Sequence, residues 1–382
     1  MDPPLTGAVA VATGAAVTAA ATPLAIVVAR RTSFLDRPRG YRTHSRATPL
    51  LGGVAIGAGV LAATLLTSSL GGIRGTRHTP ALLAIAAVML ALGTLDDRIA
   101  VPPGRRLLVE AGAAVWLFAI GLGWSTRVPG AANLALTVLW VTGLVNAFNL
   151  MDNIDGACAT VGAVSSAGIG VFASLHGDPA LGAVAFALCG ACCGFLPFNL
   201  SRPSRIFLGD GGSMQIGFLV AVLATASARH SASGNAGVLV GALLCGLPIL
   251  DVALVSVSRT RRGVSLMTGG RDHLTHRIAP IVGGPRRVAA TLAAGQATLC
   301  TLALLGAALS ETAVAAIAAS CVLAGLCAVA ALDRPRMRPA GITDRARAAT
   351  PPAIPGASFT AARIAAPEGG SETAASLART EI

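Results

Sequence analysis

The chain has 382 residues, 54% of them apolar and only 12% charged, with a net charge of +12. Such a composition excludes an ordinary water-soluble globular domain and sets the class as a polytopic membrane protein. All 29 basic side chains are arginine, and with a single tyrosine there is no basic stripe interleaved with aromatics, so a nucleic-acid partner is not expected.

Apolar runs near 5–30, 49–69, 79–95, 106–123, 130–146, 156–175, 180–197, 212–228, 236–258, 286–309 and 312–332 approach the length that crosses a hydrocarbon core of about 30 Å. They predict an all-α integral membrane bundle of about eleven transmembrane helices. The first run is not a cleavable signal peptide, because Arg30 and Arg31 follow its apolar stretch instead of preceding it. On alternate loops the arginines divide unevenly, and one side holds only Arg74, Arg77, Arg127 and Arg229. The positive-inside rule then places the N-terminus outside and the C-terminus in the cytoplasm. From about Asp333 the sequence turns to Pro, Ala, Ser and Gly without an apolar period. A membrane domain over 1–332 and a disordered cytoplasmic tail over 333–382 are expected. The eight cysteines lie in or beside apolar runs, and Cys189, Cys192 and Cys193 lack a second pair of ligands, so they read as packing residues.

Asp36, Asp96, Asp97, Asp152, Asp155, Asp210 and Asp272 fall in the arginine-rich loops, and Asp251 lies in the span leading to the last of them. Carboxylates gathered with arginines on one face suit a site that holds a divalent cation and phosphates together. Four segments read as parts of that site, carrying all of these acids but Asp251 and Asp272. In LDRPRGYRTHSRATPLLGG (35–53), Arg42 and His44 stand near a phosphate, ahead of a flexible Gly52-Gly53 pair. LGTLDDR (92–98) ends a span with Asp96 and Asp97, which act as base or metal partner or merely cap a helix, and Arg105 and Arg106 open the next. NAFNLMDNIDG (146–156) sets polar groups between two long apolar stretches. FNLSRPSRIFLGDGGS (198–213) puts Asp210 beside glycines, with Ser213 as an expected helix cap.

NAFNLMDNIDG resembles the NAxNxxDGxDG signature, and IFLGDGGSMQIG (206–217) the FMGDxGSxxLG signature, of the polyprenyl-phosphate N-acetylhexosamine-1-phosphate transferases of glycosyltransferase family 4. The acidic pair at 96–97, the run from Asp36 to Gly53 and RDHLTHR (271–277) occur in that family's order. The resemblance implies that a UDP-sugar, with GlcNAc favoured, gives its sugar-1-phosphate to a membrane polyprenyl phosphate with release of UMP, using Mg2+ with Mn2+ as an alternative. By resemblance, Asp210 and Asp152 hold the metal, and Asp96, Asp97, Asp152, Asp155, His273 and His276 serve catalysis. Substrate binding falls to Asn149, Asn199, Phe207 (stacked on uracil), Arg42, His44, Arg205 and Arg271. A plasma-membrane location, a cytoplasmic active site and a homodimer fit the same reading. Departures stand beside the matches: Asn153 replaces the first Gly of DGxDG, Ala157 the usual Leu, and Thr275 the middle histidine of H-x-H-H. The alternatives are a phospho-MurNAc-pentapeptide donor, a polyprenyl-phosphate binder without turnover, or a secondary transporter with coupling carboxylates.

Overall fold

A computed structural model describes residues 2–36, 47–71, 78–229, 234–266 and 270–334. Thirteen helices and one small hairpin account for them. Helix α1 (Pro3–Arg31) is followed by strands β1 (Leu35–Asp36) and β2 (Thr48–Pro49), which pair antiparallel with Leu35 opposite Pro49. Then come α2 (Gly52–Ser69), α3 (Thr79–Ile99), α4 (Pro103–Ala119), α5 (Gly130–Met151), α6 (Ala157–Leu175), α7 (Pro179–Asn199) and α8 (Gly209–Arg229). The chain continues through α9 (Gly234–Leu244), α10 (Gly246–Arg261), α11 (Leu274–Val282), α12 (Gly284–Leu309) and α13 (Glu311–Leu332).

The helix starts follow local chemistry. Proline occupies the first turn of α1, α3, α4, α7 and α12, where its missing N–H costs nothing. Asp178 caps α7 by accepting the Leu181 N–H at 3.0 Å, and Ser310 caps α13 by accepting that of Ala313 at 3.1 Å.

Among the described residues nine helices are long and apolar enough to cross a membrane, or ten if α9 and α10, bent by 81° at their junction, form one span. The expected span at 106–123 is α4, only 17 residues long, with Arg105, Arg106 and a buried Glu110 in its first half. These charges belong to the site described below, which shortens the apolar part of the helix.

Helix α8 is buried along its length and packs against α3, α5, α6 and α2, while α1 and α7 form the most extensive neighbouring pair. With no hydrophobic drive between helices in lipid, such packing depends on small residues that let backbones approach. A Cβ at Gly53 would lie 2.4 Å from the Cα of Gly212. The Gly52-Gly53 pair is therefore a tight contact and not a flexible entry: its N–H groups donate to Phe207 O (3.1 Å) and Leu208 O (3.0 Å), and Phe207 N–H returns a bond to Pro49 O (2.8 Å).

At the far end of the chain, Arg277 is buried and donates to Asp272 O (2.9 Å), Ser258 Oγ (2.7 Å), Leu332 O (2.5 Å) and Asp333 Oδ1 (3.3 Å). Arg261 adds an ion pair to Asp333 Oδ2 at 3.0 Å. Asp333, expected to begin the tail, is thus a buried part of the helical unit, because it neutralises an arginine that has left water. The remainder of the expected tail, from 335 onward, lies outside the described residues.

Candidate active site

The ends of α3 and α5 meet the starts of α4 and α8, and this junction collects most of the carboxylates. Asp96, in the last turn of α3, is ion-paired with Arg106 and accepts the Val101 N–H at 2.7 Å. The Asp96 side chain caps neither helix: it braces the α3–α4 turn at Val101 and neutralises Arg106. Arg106 spreads its guanidinium further, donating to Asn149 Oδ1 at 3.2 Å and Asn146 Oδ1 at 3.5 Å, and lies 3.9 Å from Asp210 Oδ2. Asn149 turns its amide nitrogen to Asp210 Oδ1 (2.9 Å) and Ser213 Oγ (3.1 Å), so one planar side chain links arginine to carboxylate.

Asp97 has a different task from Asp96. Its Oδ2 accepts the N–H of Asp210 at 3.0 Å, supplying from α3 the anion that the start of α8 attracts. Gly209 at the bend has φ +76°, and a Cβ there would meet Asp97 Oδ2 at 2.7 Å, so the turn requires glycine. Ser213, expected as the cap of α8, lies instead one turn inside it and donates to Asp210 O at 3.2 Å. The helix starts at Gly209 because Asp97 caps it in Ser213's place.

Asp152 follows the last residue of α5. Burial lifts its carboxyl well above the ordinary carboxylate range, and the charges of Asp210, Asp97 and Asp155 add to the rise. Ionising all of these carboxyls would place more negative charge in the junction than Arg106 alone offsets, which, on top of burial, disfavours the charged form of Asp152. Among the described residues no three His, Cys, Asp or Glu side chains converge at metal-ligating distance. The junction's donors are carboxylate oxygens, the kind a hard cation such as Mg2+ takes one or two of beside water and substrate phosphates.

A second cluster surrounds α11. His273 gives Nδ1 to Asp251 Oδ2 at 2.9 Å, and Asp251 Oδ1 accepts the Leu274 N–H at 2.6 Å, so one buried carboxylate fixes both the imidazole and the helix start. Asp251 is thus an orienting group within the span. His276 lies 6.2 Å from His273 between ring centres, and its buried Nδ1 has no hydrogen-bond partner. Burial and the nearby His273 and Arg271 lower its pKa to about 4, which leaves the ring neutral at pH 7. Asp272, gripped by Arg259 at 2.8 Å and Arg262 at 2.7 Å, is held at about 2: its burial alone would raise it, but the two arginines outweigh that.

Several expected substrate residues stand apart from this constellation. Asn199 is buried, with Oδ1 accepting the Gly156 N–H at 2.6 Å and Nδ2 donating to Ile206 O at 3.0 Å, so it joins two loops and offers nothing to a ligand. Arg205 is exposed, 5.3 Å above the ring of Phe198. Arg271 is exposed at the approach to α11, and Phe207 is half-buried between the α2 entry and the start of α8. Arg42 and His44 lie outside the described residues. Sequence reasoning gave no role to Arg106 or to Glu110, whose Oε2 accepts from Asn146 Nδ2 at 2.5 Å while its buried Oε1 has no partner. Their spacing of four on α4, which puts both on one helix face, was the available signal.

Residues 79–228 match the profile of a family described as "Glycosyl transferase family 4". A decaprenyl-phosphate N-acetylglucosaminephosphotransferase of Mycobacterium leprae is 32% identical over 311 residues, covering 72% of this chain and 77% of that protein. The chain belongs to glycosyl transferase family 4. An undecaprenyl-phosphate alpha-N-acetylglucosaminyl 1-phosphate transferase of Escherichia coli is 28% identical over 268 residues, 66% of this chain and 70% of that protein. A probable undecaprenyl-phosphate N-acetylglucosaminyl 1-phosphate transferase of Bacillus subtilis is 27% identical over 266 residues, 67% and 73% of the two chains. The family match spans α3 to α8, the stretch whose helix ends build the carboxylate junction; from beyond it, α10 adds Asp251 and the start of α11 adds His273 and His276.

Proposed function

We propose that this family member transfers GlcNAc-1-phosphate from UDP-GlcNAc to a membrane polyprenyl phosphate, releasing UMP, at the cytoplasmic face of the plasma membrane and with Mg2+. The observation that carries the reading is the carboxylate junction itself. Asp97, Asp152 and Asp210 come together at helix ends with Arg106 as their local counter-charge. Such a site favours added cationic charge and tolerates a diphosphate only when a cation accompanies it.

In the reaction an oxygen of the lipid phosphate attacks the β-phosphorus of the donor. The bond from that phosphorus to the oxygen bridging the two phosphates breaks, and the bridging oxygen leaves on UMP. Asp210 and Asp152 would hold a Mg2+, which would supply charge neutralisation for the diphosphate oxygens. Asp96 is committed to Arg106 and Asp97 to the Asp210 N–H, so the adjacent pair acts on the acceptor end by fixing Arg106 and the start of α8. Arg106, fixed by Asp96 and the two asparagines, presents a preorganised cation beside Asp210. His276, neutral at pH 7 and carrying an unpartnered ring nitrogen, accepts or donates a hydrogen bond at the donor's sugar end. Asp96, Asp97, Asp152 and Asp210 gather at helix ends in one junction, which favours phosphate transfer over a transporter's midplane ion site.

The test is to incubate detergent-purified protein with Mg2+, polyprenyl phosphate and a panel of UDP-sugars. UMP release that requires the lipid phosphate and is fastest with UDP-GlcNAc is the expected result. Release of UMP without the lipid, or of none with any donor, would reject the reading.

A further inference from the structure

Two departures from the family's sequence pattern, 122 residues apart in the chain, touch in the fold: the Thr275 hydroxyl donates to Asn153 Oδ1. Asn153 uses its amide nitrogen on its own turn, donating to Leu150 O at 2.7 Å, and Thr275 is fully buried. Asn153 follows Asp152 and Thr275 precedes His276, so the bond crosses from the carboxylate junction to the histidine helix. Other side-chain hydrogen bonds of α11 and its N-cap His273 run from His273 and Leu274 to Asp251 on α10 and from Arg277 to Asp272, Ser258, Leu332 and Asp333. The pattern has glycine and histidine at these two positions; this chain has a longer and a shorter side chain there, in contact with each other.

We infer that Asn153 and Thr275 are one positioning unit, a paired substitution in which Asn153 fills the space a histidine at 275 would need and supplies the acceptor that aims α11, and with it His276, at the Asp152 loop. Neither side chain is expected to touch the reacting atoms. The kinetic part of the inference rests on the transferase reading, whereas the pairing does not.

The experiment is a double-mutant cycle on the full-length, detergent-purified protein: wild type, Asn153→Gly, Thr275→His and both together. Melting temperature is read alongside kcat and KM for UDP-GlcNAc transfer. Thr275→His alone forces an imidazole against Asn153 and is expected to lower kcat at least about tenfold and to lower the melting temperature. Adding Asn153→Gly to that variant should bring kcat back to within about threefold of wild type, although Asn153→Gly alone lowers it, a coupling that distant independent sites do not show. Thr275→Ser keeps the hydroxyl and should stay within about twofold, whereas Thr275→Val, equal in shape, should lose roughly three- to tenfold in kcat with KM little changed. Effects that simply multiply in the double variant, or a Thr275→Val protein as active as wild type, would overturn the pairing. Melting temperatures separate the two claims. Coupled melting shifts in a protein without transfer activity would reject the transferase reading and keep the pair, while transfer with additive shifts would reject the pair alone.

Discussion

Replacing Arg106 by lysine probes the junction most finely, because the positive charge stays and only the planar fork is lost. The guanidinium pairs with Asp96, donates to Asn149 at 3.2 Å and to Asn146 at 3.5 Å, and faces Asp210 at 3.9 Å. Both partners of the ion pair are largely buried, with side chains 15% and 8% exposed, so solvent screening is weak. An ammonium can keep Asp96 but cannot reach the two asparagines in the same plane. Each hydrogen bond to a charged group is worth about 1.5–3 kcal/mol, and the 3.5 Å contact contributes the lesser share. At about 1.4 kcal/mol per factor of ten, Arg106→Lys should lower kcat/KM by roughly ten- to a hundredfold while the protein still folds. Arg106→Ala should go further, because it leaves Asp96 buried and unpaired at a cost of about 3–5 kcal/mol, visible as a lower melting temperature. Transfer rates and thermal melts of the three proteins in one detergent provide the comparison. A lysine variant with wild-type transfer would show that the fork organises nothing, and the account of Asn149 and Asp210 as its dependants would fall.

Asp210→Asn keeps the shape and removes the charge, so Mg2+-dependent transfer should fall at least about a hundredfold without loss of membrane insertion, as measured by initial rates over a Mg2+ titration. Asn199→Ala leaves the Gly156 N–H without a partner, costing about 1–3 kcal/mol, and the Ile206 carbonyl with only the Ser204 hydroxyl; it should lower the melting temperature, whereas Phe207→Ala should mainly raise the KM for UDP-GlcNAc. His276 has a folded pKa of about 4 against 6.5 in the unfolded chain, so the unfolded state binds more protons between those values and stability falls as pH drops through that window. His276→Asn should remove that part of the slope in melting temperature against pH. The Asp272 contribution works lower down, complete above 3.8 and lost as pH falls towards about 2, and Asp272→Asn should flatten only that range.

The helical class, the chain order of the helices and the junction's acids were legible because each rests on a local signal. Apolar runs mark the helices, and carboxylates at their ends are too costly to be incidental. What was hidden required a partner from elsewhere in the chain. Ser213 looks like a cap until Asp97 is seen to occupy that place. Asn199 looks like a ligand contact until both ends of its amide meet backbone. Asp96 and Asp97 read as equals from their adjacency, yet successive residues on a helix point about 100° apart, one to Arg106 and the other to the start of α8. Asp333 seemed to open the tail because the composition changes there, and only its contacts with Arg261 and Arg277 return it to the helical unit.

The central claim is that the sugar moves together with the phosphate that carries it. UDP-GlcNAc labelled with radioactive phosphorus at the β position, incubated with the purified protein, Mg2+ and polyprenyl phosphate, tests this in one extraction. The account predicts that the label passes into the lipid phase while unlabelled UMP remains in the water. Label retained in water as UDP, with the sugar alone in the lipid, would mean that the bond broken lies on the other side of the β-phosphorus and would contradict it.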